Sequence, residues 1–131
     1  MKTLLKISLA LLFGLLAVSA MAKAPLTETQ KIESLITSIE TLKGAVFIRN
    51  GSEYSAEQAA HHLRMKWDKA GSRVKTAEDF IDKCASESSM SGQKYQIRFA
   101  NGKTEYSGDY FREELRKISP PAPQPSPVAS H

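Results

Sequence analysis

The sequence of 131 residues contains one cysteine, Cys84. A disulfide within the chain is therefore excluded, and packing alone must stabilise whatever domain forms. Proline is nearly missing from the body of the chain, because five of the six (Pro120, Pro121, Pro123, Pro125 and Pro127) crowd into its last dozen residues. The interior is thus free of the residue that breaks helices and central strands, while residues 119–131 form a tail expected to be extended and mobile. Neither sign of charge dominates: the formal net charge is +4, too small by itself to imply a polyanion partner. No aromatic residues interleave with the cations to stack bases, so no nucleic-acid partner is expected. No apolar run reaches the roughly 20 residues of a membrane span.

The longest apolar run reads as an address. Lys2 and Lys6 precede Ile7–Val18, interrupted only by Ser8 and Gly14, and Ala20-Met21-Ala22 supplies the small-x-small pattern that signal peptidase cleaves. Residues 1–22 are expected to be a signal peptide and Lys23 the first mature residue. No cysteine follows the cleavage site, which argues against a lipoprotein. The expected location is periplasmic or secreted, with no transmembrane segment in the mature form. Residues 23–118 then suit one compact domain with one core.

Local signals predict the elements of that domain. Thr27 and Gln30 form a capping box before the apolar stripe Ile32, Leu35, Ile36, Ile39 and Leu42, with Gly44 as its left-handed stop. Val46–Arg49 reads as a strand entering Asn50-Gly51, the pair best suited to a type I′ hairpin, with Glu53 and Tyr54 returning. Ser55 and Gln58 box a second helix that Gly71 ends. Thr76 caps a third, expected to run to about Glu87 with Ala77, Phe80, Ile81, Cys84 and Ser88 on one stripe. On that stripe Cys84 is a core residue; the alternative is a reactive or intermolecularly bridged thiol. Tyr95, Ile97 and Phe99 alternate with Lys94, Gln96 and Arg98 as a half-buried strand does. Asn101-Gly102 is expected to turn it into Lys103–Tyr106. Ser107 is expected to cap a fourth helix, with Tyr106 and Phe111 as its hydrophobic staple.

The order helix, hairpin, helix thus occurs twice, and RNGSEYS (Arg49–Ser55) echoes NGKTEYS (Asn101–Ser107). Duplication of one unit and independent reuse of hairpin-and-cap chemistry both explain the echo. The fold class expected is α+β: four helices with a small antiparallel sheet built from two β-hairpins, in the order α-ββ-α-α-ββ-α.

Few residues offer chemistry. His61 and His62 point about 100° apart on a helix and cannot chelate one ion unaided, so no metal site is assigned. Ser91-Gly92-Gln93-Lys94 has the spacing of an SxxK motif, but its lysine belongs to a strand and no KTG or SDN companion exists. No GxSxG elbow is present either. Ser88, Ser89 and Ser91 are expected to hold loop backbone through their hydroxyls. Arg64, Lys66, Lys69, Arg73 and Lys75, relieved only by Asp68, make a basic strip. That strip suits an anionic lipid, lipopolysaccharide, a peptidoglycan carboxylate or an acidic protein; alternatively it is a solvated face whose lysine stems cover apolar neighbours.

FIRNGSEYSAEQAAHHLRMKW (Phe47–Trp67) and TAEDFIDKCASESSMSGQKYQI (Thr76–Ile97) resemble the YfeK-like family, small exported bacterial proteins with a domain of unknown function. The resemblance implies export and a single compact domain, and it transfers no catalytic residue. It rests on Arg49-Asn50-Gly51, on His62 with Lys66, and on Ser89-Met90-Ser91-Gly92; convergence of these in the fold would mark the first candidate site. The leading expectation is a non-enzymatic, envelope-associated binding or accessory protein. It would act through Arg49, Asn50, Arg64, Lys66 and Lys69 on an envelope protein or anionic cell-envelope component, without a cofactor. The alternative is a small hydrolase using His62 with Ser89 or Ser91, and that chemistry requires an imidazole nitrogen within reach of a serine hydroxyl.

Overall fold

Three of the α-helices begin where a side chain satisfies a free amide group. In the computed structural model, which describes residues 24–120, Thr27 accepts from Gln30 N while the Gln30 side chain accepts from Thr27 N. This box opens α1 (Glu28–Glu40), whose buried stripe is Ile32, Leu35, Ile36 and Ile39. The same reciprocal box, Ser55 with Gln58, opens α2 (Ala56–Ala70). Thr76 with Asp79 opens α3 (Ala77–Phe80). Residues 1–23, with the expected signal peptide, and residues 121–131, with most of the expected tail, lie outside the described residues.

Between α1 and α2 stands the first hairpin, β1 (Val46–Arg49) and β2 (Ser52–Tyr54). Asn50 and Gly51 take φ of 50° and 78°, and Arg49 pairs with Ser52, as a two-residue type I′ turn requires. The second hairpin joins β3 (Gln96–Arg98) to β4 (Thr104–Tyr106), which runs straight into α4 (Ser107–Ile118). Its Asn-Gly pair works differently. Gly102 has φ 87°, whereas Asn101 stays at negative φ. Phe99 N donates to Lys103 O and Gly102 N to Phe99 O, both at 2.8 Å. That is a three-residue loop, a tight turn followed by one left-handed glycine.

The two hairpins lie side by side in one antiparallel sheet of order β2-β1-β3-β4. The central pairing sets Phe47 against Ile97 and Ile48 against Gln96. Phe47 and Ile97 are buried, while Ile48 and Gln96 are only partly covered, so one face of the sheet meets the helices. One core runs through Ile36, Phe47, Leu63, Phe80, Ile97 and Phe111. Glu28 adds a tie between helices: its carboxylate accepts from Ala77 N at 2.9 Å, and that bond holds its pKa below the usual range.

Three local expectations change. After Phe80 the helix widens into a π turn, Ile81–Ala85. The Ser86 hydroxyl donates to Ile81 O at 2.6 Å and Tyr95 N donates to Ser86 O. The backbone beyond Ser86 turns to the sheet, where Glu87 forms a β-bridge with Lys94 instead of continuing the helix. Cys84 is buried as its stripe implies, and Ser88 is buried too, but off the helix. The N-cap of α4 is Tyr106, without a side-chain cap. Ser107 is inside the helix and 4% exposed, donating its hydroxyl to Ala85 O at 2.5 Å. The shift by one residue also removes the staple: Phe111 is buried, whereas Tyr106 is 45% exposed, with Lys94 over its ring. Finally, α1 stops at Glu40 rather than at Gly44, and Gly44 (φ 73°) shapes the turn into β1.

Candidate functional site

Arg49 ends β1 on the face that carries Phe47, since side chains two apart in a strand point the same way. The β1–β3 register, carried one step past Ile48 and Gln96, sets Arg49 opposite Tyr95. Above them runs α2, where His62, Lys66 and Lys69 share one side by their spacing of four and three. The loop 86–94 closes the far wall. These elements enclose a basic cleft of about 550 Å³.

The side chains in it are held rather than free. Arg49 Nη1 lies 3.1 Å from Nδ1 and 3.3 Å from Nε2 of His62. His62 Nε2 lies 3.4 Å from the Tyr95 hydroxyl, and that hydroxyl accepts from Lys66 Nζ at 3.0 Å. Lys66 Nζ also donates to Glu87 O at 3.1 Å. With Nη1 nearly equidistant from both ring nitrogens, the guanidinium lies over the imidazole, and its fixed positive charge disfavours a second cation there. Burial, then Arg49 and Lys66 beside it, push the His62 pKa down to about 4. The ring is neutral at physiological pH.

The serine loop is fastened to the first hairpin. Ser91 Oγ donates to Asn50 Oδ1 at 2.5 Å, and Asn50 Nδ2 donates to Ser88 Oγ at 3.3 Å. The Ser88 hydroxyl also accepts from Met90 N and Ser91 N. Ser88 and Ser91 therefore hold backbone and hairpin. Ser89 is exposed on the cleft wall, and Met90 is 97% exposed at the loop's tip.

Arg49, Asn50, His62, Lys66 and the loop Ser89–Gly92 thus converge. The basic strip does not stay together. Arg64 turns to α1, where it pairs with Glu40 and, at 3.4 Å, with Glu33. Lys66, Lys69 and Arg73 line the cleft with Arg49 and Lys83, facing two carboxylates, Asp82 and Glu87. Asp82 is engaged by Arg112 at 3.0 Å. Among the described residues, no ion pair involves Lys66 or Lys69, and no hydrogen bond links His62 to a serine. The neighbours of the His62 ring nitrogens are Arg49 and the Tyr95 hydroxyl. His61 is exposed and apart from this network. Among the described residues no three His, Cys, Asp or Glu side chains cluster as a metal site, and no helix is long and apolar enough to cross a membrane.

Tyr95 was legible only as a core-facing residue of an alternating strand. Its hydroxyl is the hub that joins Lys66 to His62, and the available signal was a phenol at the strand's entrance where an aliphatic residue would pack as well. A second cavity, of about 260 Å³, backs onto the cleft between α2 and the first hairpin. Its walls are almost entirely apolar, and it shares Arg49, His62 and Tyr95 with the basic cleft.

Comparison with known proteins places this geometry in a family context. The profile of the family of unknown function DUF5329 matches residues 26–119. A protein of Salmonella typhimurium named uncharacterized protein YfeK is 38% identical over 90 residues, spanning 69% of this chain and 75% of that protein. No solved structure matches the chain.

Proposed function

This chain belongs to DUF5329, a family of unknown function, and from that premise we propose that it is an exported binding protein whose basic cleft takes an anionic group of a cell-envelope component. The observation that carries this reading is the set of five cations around the cleft, with no ion pair to Lys66 or Lys69 among the described residues. Lys66, held by Glu87 O and the Tyr95 hydroxyl, meets an anion with little further ordering, which favours affinity. Export is supported by the leader-like residues 1–22. The role assigned is non-enzymatic, with Arg49 and Asn50 shaping the site and Lys66 and Lys69 meeting the ligand.

Retention of the mature chain on envelope fractions tests the proposal. Lys66→Gln with Lys69→Glu is expected to lower retention about tenfold, as loss of two contacts worth roughly 0.7 kcal/mol each implies. Arg64→Gln, outside the cleft, is the control and is expected to retain normally. Rising salt should weaken the wild type, since exposed charge contacts are screened. Equal retention of the wild type and the double variant, with both melting alike, would refute the reading.

A further inference from the structure

We propose that the ligand of the basic cleft is a single-chain amphiphile: its carboxylate or phosphate head sits among Arg49, Lys66 and Lys69, and its apolar chain enters the cavity under α2. The inference rests on the cleft reading and extends it to a ligand class.

The argument starts from the chain's choice of residues. Between α2 and the first hairpin a half-open, mostly apolar pocket of about 260 Å³ is left. One α2 residue on its wall is small, Ala59, where a larger side chain would narrow the gap. Its walls include Ile39, Phe47, Leu63 and Phe111, and Met65, 46% exposed, stands on its rim. A volume approaching twice the roughly 150 Å³ that accepts a benzene ring suits one alkyl chain and is too small for two. Apolar walls with a few converging polar groups are the ordinary form of a small-molecule site.

The position of the space relative to charge selects the ligand further. Arg49, His62 and Tyr95 line both cavities, so a molecule that reached into both would lie against the imidazole. A cationic head is excluded by Arg49, Lys66 and Lys69. A neutral head would leave those donors without an anion. An anion lacking a chain would leave the apolar walls wet. Only an anionic head joined to one chain satisfies both cavities together.

The experiment is isothermal titration of the mature chain, at low salt and below micelle formation, with inorganic phosphate, butyl phosphate, octyl phosphate, octanoate and octyl maltoside. Each buried methylene adds close to a fourfold gain, so octyl phosphate is expected to bind at least about fiftyfold tighter than butyl phosphate. Octyl maltoside should bind at least about tenfold more weakly than octyl phosphate. Octanoate and octyl phosphate together show which head is preferred. Ala59→Leu, which fills the cavity, should erase the chain-length gain; Met65→Asp, at an exposed rim position, tests the same point if Ala59→Leu does not fold. Equal affinity for butyl and octyl phosphate overturns the amphiphile while leaving the cleft reading intact. Equal affinity for octyl phosphate and octyl maltoside also overturns it, because the head then plays no part. Failure of every anion to bind removes both readings.

Discussion

Replacing His62 by Gln should make the protein less sensitive to acid. Burial of the native ring, then the Arg49 guanidinium 3.1 Å away, disfavour its protonation; its pKa falls from 6.5 to about 4. In the unfolded chain the same ring protonates near its ordinary value. Between those two values the unfolded state binds more protons than the native state, so stability falls as pH falls. The contribution of the neutral ring is whole above pH 6.5, is lost on the way down to about pH 4, and does not change further below that. At about 1.4 kcal/mol per pH unit, the ceiling is roughly 3 kcal/mol, and solvent reaching a partly exposed ring screens this to about 1–2 kcal/mol. Glutamine offers Arg49 an amide oxygen and does not titrate. Urea unfolding of both proteins at pH 7.5 and 4.5 measures the difference. The wild type should lose about 1–2 kcal/mol more than the variant over that interval. Carboxylates such as Glu28 also lose stabilisation in acid, but they do so in both proteins and cancel. Equal acid losses, or a native His62 resonance titrating near pH 6.5, would refute the reasoning.

Two further outcomes follow from packing. Gly108 lies in α4, where alanine should stabilise by up to about 1 kcal/mol on helix propensity alone. A Cβ there would sit 2.6 Å from Ser86 Oγ, which its bond to Ile81 O holds in place. Gly108→Ala should therefore destabilise, by about 1–3 kcal/mol in urea titration, and a gain in stability would show that Ser86 yields freely. Cys84, 1% exposed with its thiol pKa raised by burial, should resist a thiol reagent at pH 8 until urea unfolds the chain; rapid native labelling would contradict that placement.

What the sequence made legible was local. Thr27 with Gln30 and Ser55 with Gln58 satisfy amides three residues away, so neither needs the rest of the fold to specify it. Asn50-Gly51 is equally self-contained. Asn101-Gly102 looks the same in sequence but belongs to a pairing frame, Phe99 with Lys103, that leaves room for only one left-handed residue. Ser107 misleads for a related reason: its hydroxyl is claimed by Ala85 O, twenty-two residues earlier, and no local pattern announces that carbonyl. The site divides in the same way. Positions 64 and 66 are about 200° apart on a helix, so periodicity already separates Arg64 from Lys66, although their common charge suggests one strip. The approach of Arg49 to His62 and of Asn50 to Ser91 depends on how the hairpins lie against α2, and the sequence supports it only through resemblance. The apolar cavity was not legible at all, because a space between elements has no sequence pattern of its own.

The central strand pair has a consequence for folding kinetics. Each hairpin closes a loop of a few residues and can form in microseconds. The β1–β3 pair joins Ile48 to Gln96, so it must close a loop of nearly fifty residues before any contact offsets the lost chain entropy. Arg49, His62 and Tyr95 come from opposite sides of that junction. Neither half of the chain alone contains the cleft, and no intermediate with only the hairpins formed can hold the ligand. A ligand that filled the cleft would therefore stabilise only the fold in which both hairpins are joined, by an amount that grows with the logarithm of its concentration over its dissociation constant.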